Sequence, residues 1–470
     1  MKKFPALTLS LLCAVALAAC GGGAAPAAST VAAPTANTAA SKAPVASAAP
    51  SSAAGSAQSA PVSAPASIAA ANGPIKIGII LPLTGSQANI GKDNEDGLKL
   101  YLKSINSTVA GRKVDPIFAD DQFQADVSLT KAKELVENQK VAALMGFAAT
   151  PSGYAVAQWV QQSAHVPMLI TSNSGGEGML TNPTFKSPYL TRWTQTSTEV
   201  VDVASDWAAK QGFRKAGMVN DDFAPGIQNA DVFASTFIRR GGAIVQEIYT
   251  KLGTTDFGPY LAQINKSADV MFTFEPGIDG LRFEEQYGTY AGQHKLPIID
   301  SFGTITAGPN LAQLKDKAIG TEAVDVFSQV SLDPGTQAFV KAWQAAYPNR
   351  LLSHDAAAGY MSGQVLVAAL NKVNGQVENT QQFLQALYNE KVDSAKGPVH
   401  LDQDHDIVQN IYVSHIVKQG SGVGYQLDKT YTNVSDTFAR SAQEIANFKW
   451  NNYKGKWVGM TEATLTQALK

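Results

Sequence analysis

Residues Ile75–Leu81, IKIGIIL, form a nearly continuous apolar run with no polar alternation. Such a run suits a strand buried on both faces, the state of strands in a parallel sheet. Pro82-Leu83-Thr84-Gly85-Ser86 then turns the chain, and a helix is predicted near Lys92–Asn106, burying Leu98, Leu102 and Ile105. The alternation continues. Gly111–Ala119 reads as a strand and Asp126–Asn138 as a helix with Leu129, Ala132, Leu135 and Val136 inward. Val141–Gly146 is a strand, a helix starts near Pro151, and Pro167–Ile170 is a fourth strand. Strict β-α-β-α order argues for a parallel sheet covered by helices on both faces.

Near Tyr189–Thr194 the pattern restarts. Helices at Val200–Lys210, Gly226–Arg240, Phe257–Asn265 and Gly280–Tyr290 alternate with strands at Ala216–Val219, Ala243–Tyr249, Val270–Phe274 and Pro297–Ile299. The fold class is therefore α/β, with two doubly wound parallel-sheet lobes in succession. A return strand at Thr321–Phe327 leads to helices at Thr336–Tyr347, Asp355–Val373 and Thr380–Asn389. Val399–Leu401 and Val408–Lys418 read as a hairpin around Asp402–Asp406, and Phe438–Lys470 as a polar, aromatic tail that includes Trp457.

The first residues set the address. Lys2 and Lys3 precede the apolar run Phe4–Ala19, the layout of a secretory signal, and the run is short for a membrane span. Leu17-Ala18-Ala19-Cys20 resembles the lipobox of bacterial lipoproteins, which implies lipidation of Cys20. An uncleaved membrane helix is the alternative. Residues 21–73 are almost wholly Ala, Ser, Pro, Gly, Thr and Val, too poor in large apolar side chains to offset ordering entropy. A tether of roughly fifty such residues has a reach of roughly 40 Å. The chain has 470 residues and a net charge of −2, which gives no hint of a nucleic-acid partner. Its two cysteines, Cys13 and Cys20, both precede the folded part, so disulfide, thiol and cysteine-metal chemistry are excluded there.

The stretch Met145–Gly153, MGFAATPSG, carries the strongest site signal. Thr150 reads as a helix N-cap and Pro151 as the first helical residue, so free N–H groups and a hydroxyl converge beyond a strand end. That arrangement attracts a carboxylate or phosphate, although an ordinary capped helix start would look the same. Phe147, Phe223, Phe274 and Phe302 recur at or just past predicted strand ends, where they either wrap an apolar ligand or pack beneath the loops. The stretch His400–Asp406 offers oxygen and imidazole groups but lacks the Gly and Glu of a calcium loop, which favours a solvated turn. No nucleophile elbow, P-loop or zinc motif is present, and no metal or cofactor is implied.

Taken together, Ile77–Gly85, Ala119-Asp120-Asp121-Gln122, Gly146 with Thr150-Pro151-Ser152, Asp222-Phe223-Ala224 with Gly226, Gly253–Phe257 and Ala358-Gly359-Tyr360 resemble a known family in order and spacing. The chain resembles bacterial type I periplasmic binding proteins of the branched-chain amino acid (leucine-binding) family. The resemblance spans about Pro74 to Leu427. It implies a non-enzymatic receptor that feeds a small ligand to the permease of an ABC importer, with the membrane met only through the lipid anchor. A monomer is expected. It also implies two lobes joined by three crossovers, near Tyr189–Thr194, Glu322–Phe327 and Asp393–Gly397. Lobe 1 would take residues 74–190 and 328–392, lobe 2 residues 195–321 and 398–430, and residues 431–470 would be an extension.

In this family the ligand carboxylate is held in lobe 1 by hydroxyls and backbone N–H groups. The matching positions are Thr150, with Ser152 as second choice, and Asn173, Ser174 and Gly175. An α-amino group would be met in lobe 2 by Glu275, with Asp300 in reserve. Pro225 stands where relatives commonly carry a ligand-contacting aromatic, so Phe223 takes that role. The ligand expected is an amino acid or another carboxylate with an apolar part. A ligand sensor signalling to another envelope protein and a two-lobed hydrolase are the alternatives.

Overall fold

The computed structural model describes residues 73–174, 176, 178–182, 184–291, 295–448 and 452–468. The signal, Cys20, the tether as far as residue 72 and Gly175 lie outside the described residues. Among the described residues no helix is long and apolar enough to cross a membrane.

The first sheet contains β1 (Ile75–Leu81), β2 (Thr108–Val109), β3 (Arg112–Asp120), β4 (Ala143–Gly146), β5 (Met168–Ile170) and β6 (Leu190–Arg192), in the order β2-β3-β1-β4-β5-β6. All neighbours run parallel except β2 against β3. Helices α1 (Ala88–Ser104), α2 (Ala125–Lys133) and α3 (Thr150–Trp159) make the connections. Parallel pairing needs such crossovers, and it leaves every carboxyl end on one edge.

The second sheet has a parallel centre of β7 (Lys215–Asp221), β8 (Ala243–Thr250), β9 (Val270–Phe274), β10 (Ile298–Ser301) and β11 (Glu322–Asp325), ordered β8-β7-β9-β10-β11. Its helices are α4 (Ser197–Lys210), α5 (Ala224–Arg239), α6 (Gly258–Leu261), α7 (Ile278–Ala291) and α8 (Gly308–Leu314). The chain then returns to the first lobe through α9 (Pro334–Ala346), α10 (His354–Lys372), α11 (Thr380–Tyr388) and the hairpin β12 (Lys391–Ser394) and β13 (Gly397–Leu401). It ends on the second with β14 (Ile407–Gln419), antiparallel to β11, then β15 (Gly422–Val434), α12 (Ala442–Asn447) and α13 (Glu462–Ala468).

Each sheet has its own core. Ile77, Ile79, Leu98, Met361, Val365 and Phe383 pack in the first, and Met218, Phe233, Phe272, Val324 and Val413 in the second. Val392, Val399 and Ile407 pack with the first core and Ile411 with the second. The third passage between lobes therefore runs along β14, and Asp393–Gly397, expected as a crossover, is the turn of the β12–β13 hairpin. The expected helix at Phe257–Asn265 shortens to α6, because beyond it Gln263 and Ile264 donate to Tyr260 and Leu261 in tight turns. The tail is anchored on the second lobe. Trp457 is fully buried and donates through Nε1 to Asp231 at 2.7 Å, and Arg440 forms a buried ion pair with Asp202.

Two close approaches fix the first lobe. A Cβ on Gly97 would lie 2.1 Å from the Ala356 carbonyl oxygen, and one on Gly359 2.0 Å from that of Asn94, so α1 and α10 cross backbone against backbone. At the end of β4, Gly146 has φ +110° and its Cβ position lies 2.3 Å from the Ile80 carbonyl oxygen. Gly146→Ala therefore meets both backbone strain and a clash with β1. Urea unfolding should show a loss of about 2 kcal/mol or more.

Candidate functional site

The candidate site lies where loops leave the carboxyl ends of the two parallel sheets. In the first lobe these loops follow β4 and β5. Gly146 and Phe147 both have positive φ, and the chain then enters α3. The helix starts one residue earlier than the sequence suggests. Thr150 is its first residue, Pro151 its second, and the cap position falls on Ala149, which offers no side-chain oxygen. By contrast, α4 and α10 are capped by Thr196 and Ser353. The first N–H groups of α3 thus lack a side-chain cap at the positive end of the helix dipole, the end that favours an anion.

Beside this helix start stand hydroxyls without partners. Ser152, Ser172 and Ser174 are 0 % exposed, and none of their Oγ atoms makes a hydrogen bond. The β5 loop meets α3 at Gly153, the residue after Ser152, where a Cβ would lie 2.1 Å from Ser174 Oγ. The next turn closes over them, with the Gly176 Cβ position 2.7 Å from Thr150 Cγ2. Thr150 itself is half-buried. Buried hydroxyls are rarely left unpaired, and here they share one spot with an uncapped helix start. Phe147, expected at the pocket, is instead fully buried in a separate apolar cluster of the first lobe with Val156, Met168 and Met179.

Asn173, between the two unpaired serines, is occupied. Its Nδ2 donates to Asp355 Oδ1 at 2.8 Å, and its Oδ1 accepts from Gln195 Nε2 at 3.2 Å. Gln195 Oε1 in turn accepts from Lys396 Nζ at 3.4 Å. His354 lies between two carboxylates, with Nδ1 3.2 Å from Asp325 and Nε2 3.6 Å from Asp355. Sequence reasoning missed this network, because its members come from five distant segments.

The second lobe presents an aromatic edge. Phe223 follows β7, Phe274 ends β9 and Phe302 follows β10. Phe223 and Phe274 stack with ring centres 6.3 Å apart, and Phe274 meets Phe302 edge-on at 5.8 Å. All three rings are half-buried. Beneath them lie the two carboxyl groups singled out in the sequence. Glu275 is fully buried, accepts from Thr250 Oγ1 at 2.9 Å and hydrogen-bonds to the Asp221 side chain. Burial above all, then the Asp221 partner, holds Glu275 well above the usual carboxylate range, and burial pushes Asp221 up to about 6. Each buried carboxyl disfavours a charge on the other. Asp300 is also fully buried, and burial raises it to about 6. It accepts from Thr304 Oγ1 at 2.8 Å and from the Ile305 N–H, Thr306 N–H and Thr306 Oγ1, each at 3.0 Å. Both acids are committed to their own lobe.

The His400–Asp406 stretch closes the β13–β14 hairpin, with Asp402 accepting from the N–H groups of Asp404 and Asp406. Asp406 also pairs with buried Arg192.

The family model for periplasmic binding proteins matches residues 74–421. The chain belongs to the periplasmic binding protein family. A Leu/Ile/Val-binding protein homolog of Brucella melitensis is 28 % identical over 369 residues, 77 % of this chain and 92 % of that one. A Rhodopseudomonas palustris solute-binding protein of an ABC transporter, solved with 3,4-dihydroxybenzoic acid, is 31 % identical with a TM-score of 0.71. The match covers 77 % of this chain and 99 % of that one. A second R. palustris solute-binding protein, in complex with 4-hydroxybenzoate, is 26 % identical with a TM-score of 0.70, covering 77 % and 98 %. This periplasmic binding protein is a solute-binding component of ABC transport, outside the cytoplasm, and not an enzyme.

The network around Asn173 makes a prediction about pH. Burial opposes charge on His354, but Asp325 and Asp355 outweigh it and raise the imidazole to about 9. A raised folded-state value stabilises the fold fully below the unfolded value of about 6.5, and the gain fades as pH rises through about 9. The gain is on the order of 3 kcal/mol. The unfolding free-energy difference between wild type and His354→Gln should be largest below pH 6 and shrink steadily towards pH 10.

Proposed function

We propose that this periplasmic binding protein is an importer receptor, anchored through lipidated Cys20, that captures a small aromatic carboxylate by closure of its lobes. The observation that carries the reading is the pairing of two unlike edges. An uncapped helix start with unpaired Ser152 and Ser174 hydroxyls suits a carboxylate. The cluster Phe223, Phe274 and Phe302 suits a ring. The wider class, an amino acid or other carboxylate, narrows because an α-ammonium group finds no free acid among the expected partners. Glu275 is buried against Thr250 and Asp221, and Asp300 closes the 304–306 loop. The two R. palustris relatives, solved with hydroxylated benzoic acids, support the same choice.

The ligand would reach the first lobe with its carboxylate and the second with its ring, and closure would remove water from both. It can shift the open–closed balance only by its preference for the closed form. Benzoate and 4-hydroxybenzoate should raise the melting temperature. At about 100 times the dissociation constant the stabilisation is about 2.7 kcal/mol. Leucine should give no shift. Thr150→Ala with Ser152→Ala should abolish the benzoate shift while the unliganded melting temperature stays unchanged. A shift with leucine and none with any benzoate would contradict the reading. Phe274→Ala removes the ring that touches both others. In calorimetry it should weaken benzoate by about tenfold, some 1.4 kcal/mol.

A further inference from the structure

The β5 loop carries three successive polar residues with different fates. Ser172 and Ser174 are buried and their hydroxyls have no partner. Asn173 between them has both ends of its amide engaged, by Asp355 from the start of α10 and by Gln195 from the first passage between the lobes. The connection extends further. Gln195 Oε1 accepts from Thr194 Oγ1 at 3.1 Å and from Lys396 Nζ at 3.4 Å. Lys396 is fully buried, and its backbone carbonyl accepts from Tyr412 on β14, the third passage, at 3.0 Å. Asp355 meets His354, which meets Asp325 at the second passage. Asp325 also lies against the loop that carries Phe302, with its Oδ2 3.0 Å from the Cβ position of Gly303.

We propose that Asn173 is a positioning residue that couples the ligand loop of the first lobe to all three inter-lobe passages through Gln195 and Asp355. This inference rests on the reading of the site as an aromatic-carboxylate receptor. It departs from the family-based expectation that Asn173 itself touches ligand. The physical basis is amide geometry. A side-chain amide whose oxygen and nitrogen are both held by buried partners is fixed in one orientation, and it fixes the backbone of its neighbours. Ser174 then sits at a height set by the passages. A change in their path on lobe closure moves the hydroxyl that meets the carboxylate. Ligand binding biases closure through the same bonds in reverse, as linkage requires.

A double-mutant cycle tests this, with benzoate as probe and calorimetry as readout. Asn173→Ala should weaken benzoate at least tenfold. Gln195→Ala, which alters nothing on the ligand loop itself, should weaken it to a similar degree. The double variant should be no worse than either single one, because both break the same connection. If Gln195→Ala does not fold, Lys396→Met removes the far support of the same amide and should also weaken benzoate severalfold. Conservative Gln195→Glu keeps the oxygen that Lys396 holds but cannot donate to Asn173, so it should fail to rescue. Wild-type affinity in folded Gln195→Ala or Lys396→Met, with affinity lost in Asn173→Ala, would overturn the proposal and return Asn173 to the ligand contacts. Strict additivity of the two single losses would overturn it as well. A wild type that binds no aromatic acid at all would instead refute the functional reading, and this inference with it.

Discussion

A parallel sheet covered on both faces has only its strand ends to offer a ligand. That constraint governs this molecule. The apolar runs that make β1, β4 and β9 insoluble on either face also send all their loops to one edge. The chain passes between the two sheets three times, so that loops of one lobe hydrogen-bond to the passages that lead into the other. A receptor of this kind needs little else. It needs one edge that prefers anions and another that prefers what the anion is attached to.

The two edges reach that division by different means. The first uses absence: a helix start without a capping side chain, and buried hydroxyls without partners, lie where the local sequence supplies nothing to satisfy them. The second uses commitment. Its acids are consumed by Thr250, by the 304–306 loop and by each other, which leaves aromatic rings as the accessible chemistry. Burial of Asp221 and Glu275 against each other raises both and disfavours full ionisation of the pair. Counting carboxylates in the sequence would therefore mislead about the ligand.

Much of the scaffold was legible because burial on both faces leaves a plain signature. Ile75–Leu81 and Val270–Phe274 are strands over the very residues the apolar runs mark. Strand β15 was not legible, since its sequence GVGYQLDKTYTNV is largely polar with few buried positions, and pairing with β14 alone defines it. The site divided in the same way. Local signals found the start of α3 and the loop Phe rings, but the cap moved from Thr150 to Ala149 and Phe147 turned into the core. The links Asn173–Gln195, Asn173–Asp355 and His354–Asp325 join residues far apart in the chain, and no periodicity or spacing announces such contacts.

In the proposed receptor, one lobe holds a carboxylate on backbone amides and serine hydroxyls while the other holds its ring. The most direct measurement is a crystal structure of the protein grown with 4-hydroxybenzoate. Carboxylate density is expected within hydrogen-bond distance of Ser152 Oγ, Ser174 Oγ and the first N–H groups of α3, with the ring against Phe274; this is the result the proposed receptor requires. Density for the acid elsewhere, or a carboxylate turned towards the second lobe, would contradict it.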